Sequence, residues 1–260
     1  MAAEEGLAFV ENEGFELAFI DLNAASGNEP ILLIHGFAST HFVNWVAPSW
    51  TTTLTGAGYR VMAFDNRGHG SSSKSSRPED YEPARMAADA VVLLDRLGIE
   101  RAHVMGYSMG ARVSAFMALA APDRVATLIL GGLGIGLVEG VGDWDPISDA
   151  LLAADAATVP EGRPRMFRNF ADQTRSDRSA LAACIAGSRT LLPADEAKRI
   201  VQPTLIGVGT RDDIAGDPEA LATLMPNAES FPIANRDHML AVGDRTFKAK
   251  ALEFLRAHPI

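Results

Sequence analysis

The sequence predicts an α/β fold, a mostly parallel central sheet with helices on both faces. Three observations lead there. Short, continuously apolar runs recur at residues 31–34, 59–64, 125–130 and 203–208, and continuous rather than alternating apolarity suits strands covered on both faces. Helical stretches separate the strands at 31–34, 59–64, 102–107 and 125–130, and strand–helix–strand alternation calls for parallel pairing. Each run also empties into a glycine-rich or polar turn, as at His35-Gly-Phe37, Asp65-Asn-Arg-Gly-His-Gly70 and Gly209-Thr-Arg-Asp-Asp213.

Along the chain, residues 7–10 and 15–22 read as two strands joined by hairpin chemistry at Asn12-Glu-Gly14. Residues 24–30 form a loop before the strand at 31–34. One helix is expected over 45–55, with Pro48 blurring its start, then the strand at 59–64. Residues 83–97 have an amphipathic pattern, with Met86, Ala90, Leu93, Leu94 and Leu97 on one side, proline at the start and Gly98 at the end. Residues 102–107 form a buried strand, followed by a helix over 112–121 that stops at Pro122. After the strand at 125–130 the alternation ceases. Residues 137–196 hold only helical pieces, at 149–157, 165–172, 179–188 and 194–200. Met166, Phe167, Phe170, Leu181 and Ile185 supply too many apolar anchors for a disordered linker. The pattern resumes with the strand at 203–208, a short helix at 218–224, and a strand at 228–233 whose Pro232 marks a sheet edge. A last helix is expected over 240–256. The expected organisation is a core of residues 1–136 and 197–260 with a helical cap at 137–196.

Composition narrows the function. The 260 residues carry a net charge of −10 and are 47% hydrophobic. An acidic balance without basic runs argues against nucleic acid or anionic membrane as partner. The single cysteine, Cys184, excludes internal disulfides and cysteine-based metal sites, and reads as a small buried hydrophobe. Residues 1–6 lack the basic start and apolar run of a signal peptide, and no apolar segment approaches the roughly 20 residues of a bilayer span. A cytoplasmic location is the expectation, with oligomeric state open.

The chemistry centres on Gly106-Tyr-Ser-Met-Gly110. This G-x-S-x-G places Ser108 on a sharp strand-to-helix turn with its hydroxyl exposed, and a Cβ at either bracketing position would collide with its neighbours. A serine hydroxyl needs a base, and the base needs a carboxylate to fix its tautomer. Loops at the C-terminal ends of parallel strands converge on one crevice, so both partners should follow strands. Of six histidines, His238 follows the last strand and, apart from the terminal His258, is the only one after Ser108. His103 reads as structural, His69 as bracing its turn, His35 as part of the loop after the first buried strand, and His41 as a weaker crevice candidate. For the acid, Asp212 and Asp213 both follow a strand between Ser108 and His238. Turn length favours Asp212, while Asp237 adjoins His238 and points elsewhere.

Taken together, Gly-Tyr-Ser-Met-Gly, His35-Gly-Phe37, Asp65 to Gly70, Gly-Thr-Arg-Asp ending at Asp212, and His238 before the last helix resemble the α/β-hydrolase fold superfamily. The resemblance spans the chain except 137–196, which corresponds in position to that superfamily's variable cap. It implies a catalytic triad of Ser108 as nucleophile, His238 as general base and Asp212 as its orienter. The backbone N–H groups of Phe37 and Met109 would form the oxyanion hole, with no metal or cofactor. Serine rather than aspartate at the elbow argues against dehalogenase and epoxide hydrolase chemistry. His-Gly-Phe-Ala lacks the glycine-rich stretch of some esterases and iminopeptidases. What remains is similar to small esterases and lactonases acting on a small-molecule ester or lactone. Perhydrolase or haloperoxidase activity at the same site, or a hydrolase-fold ligand receptor, are the alternatives. Trp45, Trp144, Met109 and the phenylalanines of 137–196 are candidate acyl-pocket residues, each with core packing as the ordinary alternative.

Overall fold

Eight strands form one sheet in the order β1-β2-β4-β3-β5-β6-β7-β8 in the computed structural model, which describes residues 6–25 and 27–260. The acidic start expected to lack a signal peptide lies mostly outside the described residues, as does one residue of the 24–30 loop. The strands are β1 (Ala8–Asn12), β2 (Phe15–Leu22), β3 (Pro30–Ile34), β4 (Arg60–Phe64), β5 (Ala102–Tyr107), β6 (Val125–Gly131), β7 (Thr204–Gly209) and β8 (Ala228–Ile233). The pairs β1–β2 and β2–β4 are antiparallel and all others parallel. The turn expected at residues 12–14 pairs Asn12 with Phe15 across Glu13-Gly14. β8 is an edge strand, as Pro232 suggested.

Alternate residues of the central strands feed two cores. Leu32 and Ile34 pack with Met86, Leu94, Val113 and Met117 of α2 (Pro83–Arg96) and α3 (Met109–Ala120) on one face. Ile31 and Leu33 pack with Trp50 and Leu54 of α1 (Trp50–Gly56) and Phe247 and Phe254 of α11 (Arg245–Ala257) on the other. A strand with apolar neighbours on both faces has no polar positions to alternate, which is why these runs read as continuous.

Two expected helices are broken. The one at 45–55 splits into a π-type turn, Phe42–Val46, and α1, because Pro48 has no N–H to donate and Ser49 adopts φ +67°. The one at 240–256 splits into α10 (His238–Ala241) and α11, because the Asp244 carboxylate accepts from the N–H groups of Thr246 and Phe247 and starts a new helix.

The segment between β6 and β7 contains α4 (Gly136–Glu139), α5 (Asp145–Leu152), α6 (Arg163–Gln173), α7 (Arg178–Gly187) and α8 (Ala194–Ala197), followed by α9 (Pro218–Leu224) after β7. The expected helix at 149–157 is displaced to start at Asp145, where Pro146 occupies the first turn and costs no hydrogen bond. The one at 194–200 is shortened to its first turn. Phe167, Leu181 and Ile185 are buried as expected, Phe170 is half-buried, and Met166 is exposed. Among the described residues, no helix is long and apolar enough to cross a membrane.

Candidate active site

Ser108 stands between β5 and α3 with φ +55° and ψ −113°, a conformation that costs a non-glycine residue about 1–3 kcal/mol. Its surroundings impose it. A Cβ on Gly106 would lie 2.2 Å from the Gly110 carbonyl oxygen, and one on Gly110 would lie 2.0 Å from that of Ile34. The helix therefore starts closer to β3 and β5 than any side chain permits. The Ser108 N–H donates to the Gly131 carbonyl at 2.7 Å, tying the turn to β6.

His238 opens α10, where the Asp237 carboxylate accepts from the N–H groups of Met239 and Leu240. The Tyr107 hydroxyl donates to the His238 carbonyl at 2.5 Å. Burial, with the Asp212 and Asp237 charges, pushes that phenol well above its usual range, so it stays a donor. The imidazole lies between two partners: Nε2 is 3.0 Å from Ser108 Oγ and Nδ1 is 2.8 Å from Asp212 Oδ2. Asp212 Oδ1 accepts from the N–H groups of Ile214 and Ala215. Two fixed donors on one oxygen aim the other at the ring. Nδ1 then carries the proton, leaving the Nε2 lone pair for the serine hydroxyl. Asp213 instead pairs with Arg163 at 2.9 Å, and its side chain is 77% exposed. Asp212, not Asp213, meets His238.

The loop after β3 brings Phe37 against this group. The Gly36 N–H donates to Asn44 Oδ1, and the Ala38 N–H donates to His69 Nε2. His69 Nδ1 donates to the Arg67 carbonyl, and His35 accepts from the Asn66 N–H while donating to the Gly36 carbonyl. Burial pushes these imidazoles down, to about 4 for His35 and about 3 for His69, so both stay neutral and keep one nitrogen free to accept. Among the described residues no acceptor engages the Phe37 or Met109 N–H. His41 is buried and bonds Asp65 at 2.8 Å. His103 bonds Thr127 within the sheet, and His258 bonds the Phe254 carbonyl.

Two chambers open on Ser108, sharing Phe37 and Trp144 as walls. The larger, about 320 Å³, is lined by Met109, Arg112, Leu133, Val141, Ile185 and Leu191, among others. The smaller, about 210 Å³, includes Asn44, Tyr107, Phe167, Phe170, His238 and Met239. Phe37, Trp144 and Phe167 stack edge-on or tilted with ring centroids 5.3–6.2 Å apart. Of the suggested pocket residues, Trp144, Met109, Phe167 and Phe170 line these chambers. Trp45 does not; it is fully buried against Trp50 in the opposite core. Burial pushes the Cys184 thiol up to about 12, so it packs as a hydrophobe beside Met109. Asn44, Tyr107 and Arg112 went unremarked in the sequence. Only Arg112 left a signal there, as the one charge in the otherwise apolar run of α3.

A family model described as alpha/beta hydrolase fold matches residues 29–159, half of the chain. The chain belongs to the α/β-hydrolase fold family. This member is 29% identical over 255 residues to the dihydrolipoyllysine-residue acetyltransferase component of an acetoin cleaving system from Pseudomonas putida, covering 89% of this chain and 65% of that one. It is 38% identical over 102 residues to epoxide hydrolase B of Mycobacterium tuberculosis, covering 38% of this chain and 27% of that one. It thus spans less than two thirds of the length of either relative. A crystal structure of a hydrolase from Pseudomonas aeruginosa is similar with a TM-score of 0.79 and 26% identity, covering 96% of this chain and 98% of that chain.

Proposed function

We propose that this α/β hydrolase is a serine hydrolase of small carboxylic esters or lactones. The observation that carries the reading is the continuous hydrogen-bond chain from Ser108 through His238 to Asp212. Ser108 Oγ attacks the substrate carbonyl carbon while His238 Nε2 takes its proton, and Asp212 stabilises the imidazolium. The Phe37 and Met109 N–H groups, which have no acceptor among the described residues, receive the oxygen that gains charge, and each such donor is worth about 10²–10³ in rate. His238 returns the proton to the leaving oxygen as the carbon–oxygen bond breaks. Water, deprotonated by His238, then releases the acid from the acyl-enzyme. The helical segment 137–196 acts as the cap, walling both chambers.

The similarity to an epoxide hydrolase raises a rival reading, and a serine at the elbow favours the ester. A serine that opened an epoxide would become an alkyl ether, which water does not cleave at neutral pH, and turnover would stop after one cycle. A serine that attacks a carbonyl becomes an ester, which water does cleave. The test is a panel of short- and medium-chain nitrophenyl esters with wild type and Ser108→Ala. The variant should lose on the order of 10⁴–10⁶ in kcat. Wild-type turnover in Ser108→Ala would sink the assignment.

A further inference from the structure

The larger chamber contains a charge that the protein leaves unanswered. Arg112 lies one helical turn beyond Ser108 on α3 and is 6% exposed. Among the described residues its guanidinium donates only to backbone carbonyls, those of Gly136, Leu137 and Thr190, at 2.9–3.2 Å. Among the described residues no carboxylate pairs with it, and burial alone draws its pKa down to about 10, which still leaves it charged at neutral pH. A buried cation without a counter-charge is costly, and such groups are ordinarily paired. The other cation on this chamber, Arg189, is half-exposed and already bonded to Asp145 at 2.8 Å. No aspartate or glutamate lines the chamber. In a chain of net charge −10, a pocket whose lining charges are both positive stands apart.

The two chambers also divide the substrate. The proton for the leaving oxygen comes from His238, which lines only the smaller chamber. The alcohol portion therefore lies there and the acyl portion lies in the larger one, beside Met109. Between Ser108 and Arg112 the larger chamber is walled by Leu133, Val141, Trp144 and Ile185, which suit methylene groups.

We propose that the larger chamber is an acyl subsite for a carboxylate-bearing acyl group, its far carboxylate held by Arg112. The proposal rests on the acyl-transfer reading above. The preferred substrates are then half-esters of short dicarboxylic acids or lactones with a free carboxylate. The guanidinium has five N–H donors, and the three carbonyls take both on Nη1 and one on Nη2, which leaves the Nε–H and one Nη2–H for carboxylate oxygens.

The test pairs esters of equal length. Methyl hemiesters of succinate, glutarate and adipate are compared in a pH-stat with methyl butanoate, pentanoate and hexanoate. Wild type should favour the best hemiester over its neutral partner by about 10–100-fold in kcat/KM, the scale of a hydrogen bond to a charged group. Arg112→Gln should bring that ratio to near one, and Arg112→Lys should retain part of it. Because both esters are measured in the same variant, any general loss from disturbing the carbonyls around Arg112 cancels in the ratio. Equal rates on paired esters in wild type, or a ratio unchanged in Arg112→Gln, overturn the proposal. Calorimetric binding of glutarate against pentanoate to Ser108→Ala separates the two readings. If wild type cleaves no ester but glutarate binds more tightly and Arg112→Gln removes the difference, the subsite stands and the hydrolase reading fails. If wild type cleaves no ester and neither acid is preferred, both fail.

Discussion

His238 is placed by contacts on three sides: Ser108 at Nε2, Asp212 at Nδ1 and the Tyr107 hydroxyl at its carbonyl. The carboxylate of Asp212 sets the tautomer, so Asp212→Asn leaves the shape intact but offers an amide where an acceptor is needed. That variant should lose roughly 10⁴-fold in kcat on a nitrophenyl ester, the cost of turning the imidazole to its wrong tautomer. Asp213→Asn, altering a residue paired with Arg163 at the surface, should stay close to wild type. If the two variants lost activity equally, the assignment of the acid would be wrong. Ser108, His238 and Asp212 were legible in the sequence because each follows a strand, and chain order leaves few candidates. Asn44 and Tyr107 were not, because a buried asparagine or tyrosine leaves no mark in sequence pattern. What identifies them is where their polar atoms point, at the Gly36 N–H and the His238 carbonyl.

The elements differ in how plainly the sequence announces them. Strands β3 to β7 were legible because burial on both faces leaves them almost wholly apolar, with buried polar side chains such as His103 and Thr127 bonded to each other. The helix breaks were harder to read, since Pro48 blurred the first without announcing the left-handed turn at Ser49, and the second is a capping carboxylate inside an otherwise periodic stretch. The junction of β3, β5 and α3 is the tightest contact around Ser108. Gly110→Ala would set a methyl group 2.0 Å from the Ile34 carbonyl oxygen, a backbone atom that cannot swing aside. Overpacking there should destabilise the protein by about 1–3 kcal/mol or more and move the Ser108 turn with it. Urea unfolding and ester turnover, measured on the same preparation, should both fall. An alanine variant with unchanged midpoint and rate would refute this account of the turn.

Over the whole molecule, the buried imidazoles link the loop after β3 to acid stability. His35 and His69 are neutral in the folded chain, their basicity lowered by burial to about 4 and about 3, and both regain ordinary basicity on unfolding. Below about pH 6.5 the unfolded state therefore binds protons that the folded state does not, and stability falls as pH drops toward 4. His35 alone accounts for a loss on the order of 3 kcal/mol once that window is crossed. Burial would raise the Asp65 carboxyl, but the His41 hydrogen bond and nearby charges hold it below its ordinary value, adding a loss of the same sign at lower pH. Urea midpoints at pH 7, 5.5 and 4.5 should decline in that order, and a flat series would contradict the burial of these rings as neutral groups. The site itself joins distant parts of the chain, since Ser108 and His238 are 130 positions apart. During synthesis at roughly 5–20 residues per second, about 6–26 s separate the emergence of the two from the ribosome. A nascent chain holding Ser108 but not yet His238 has a hydroxyl with no base, so under the proposed acyl-transfer reading Ser108 stays unreactive until the last helices have emerged.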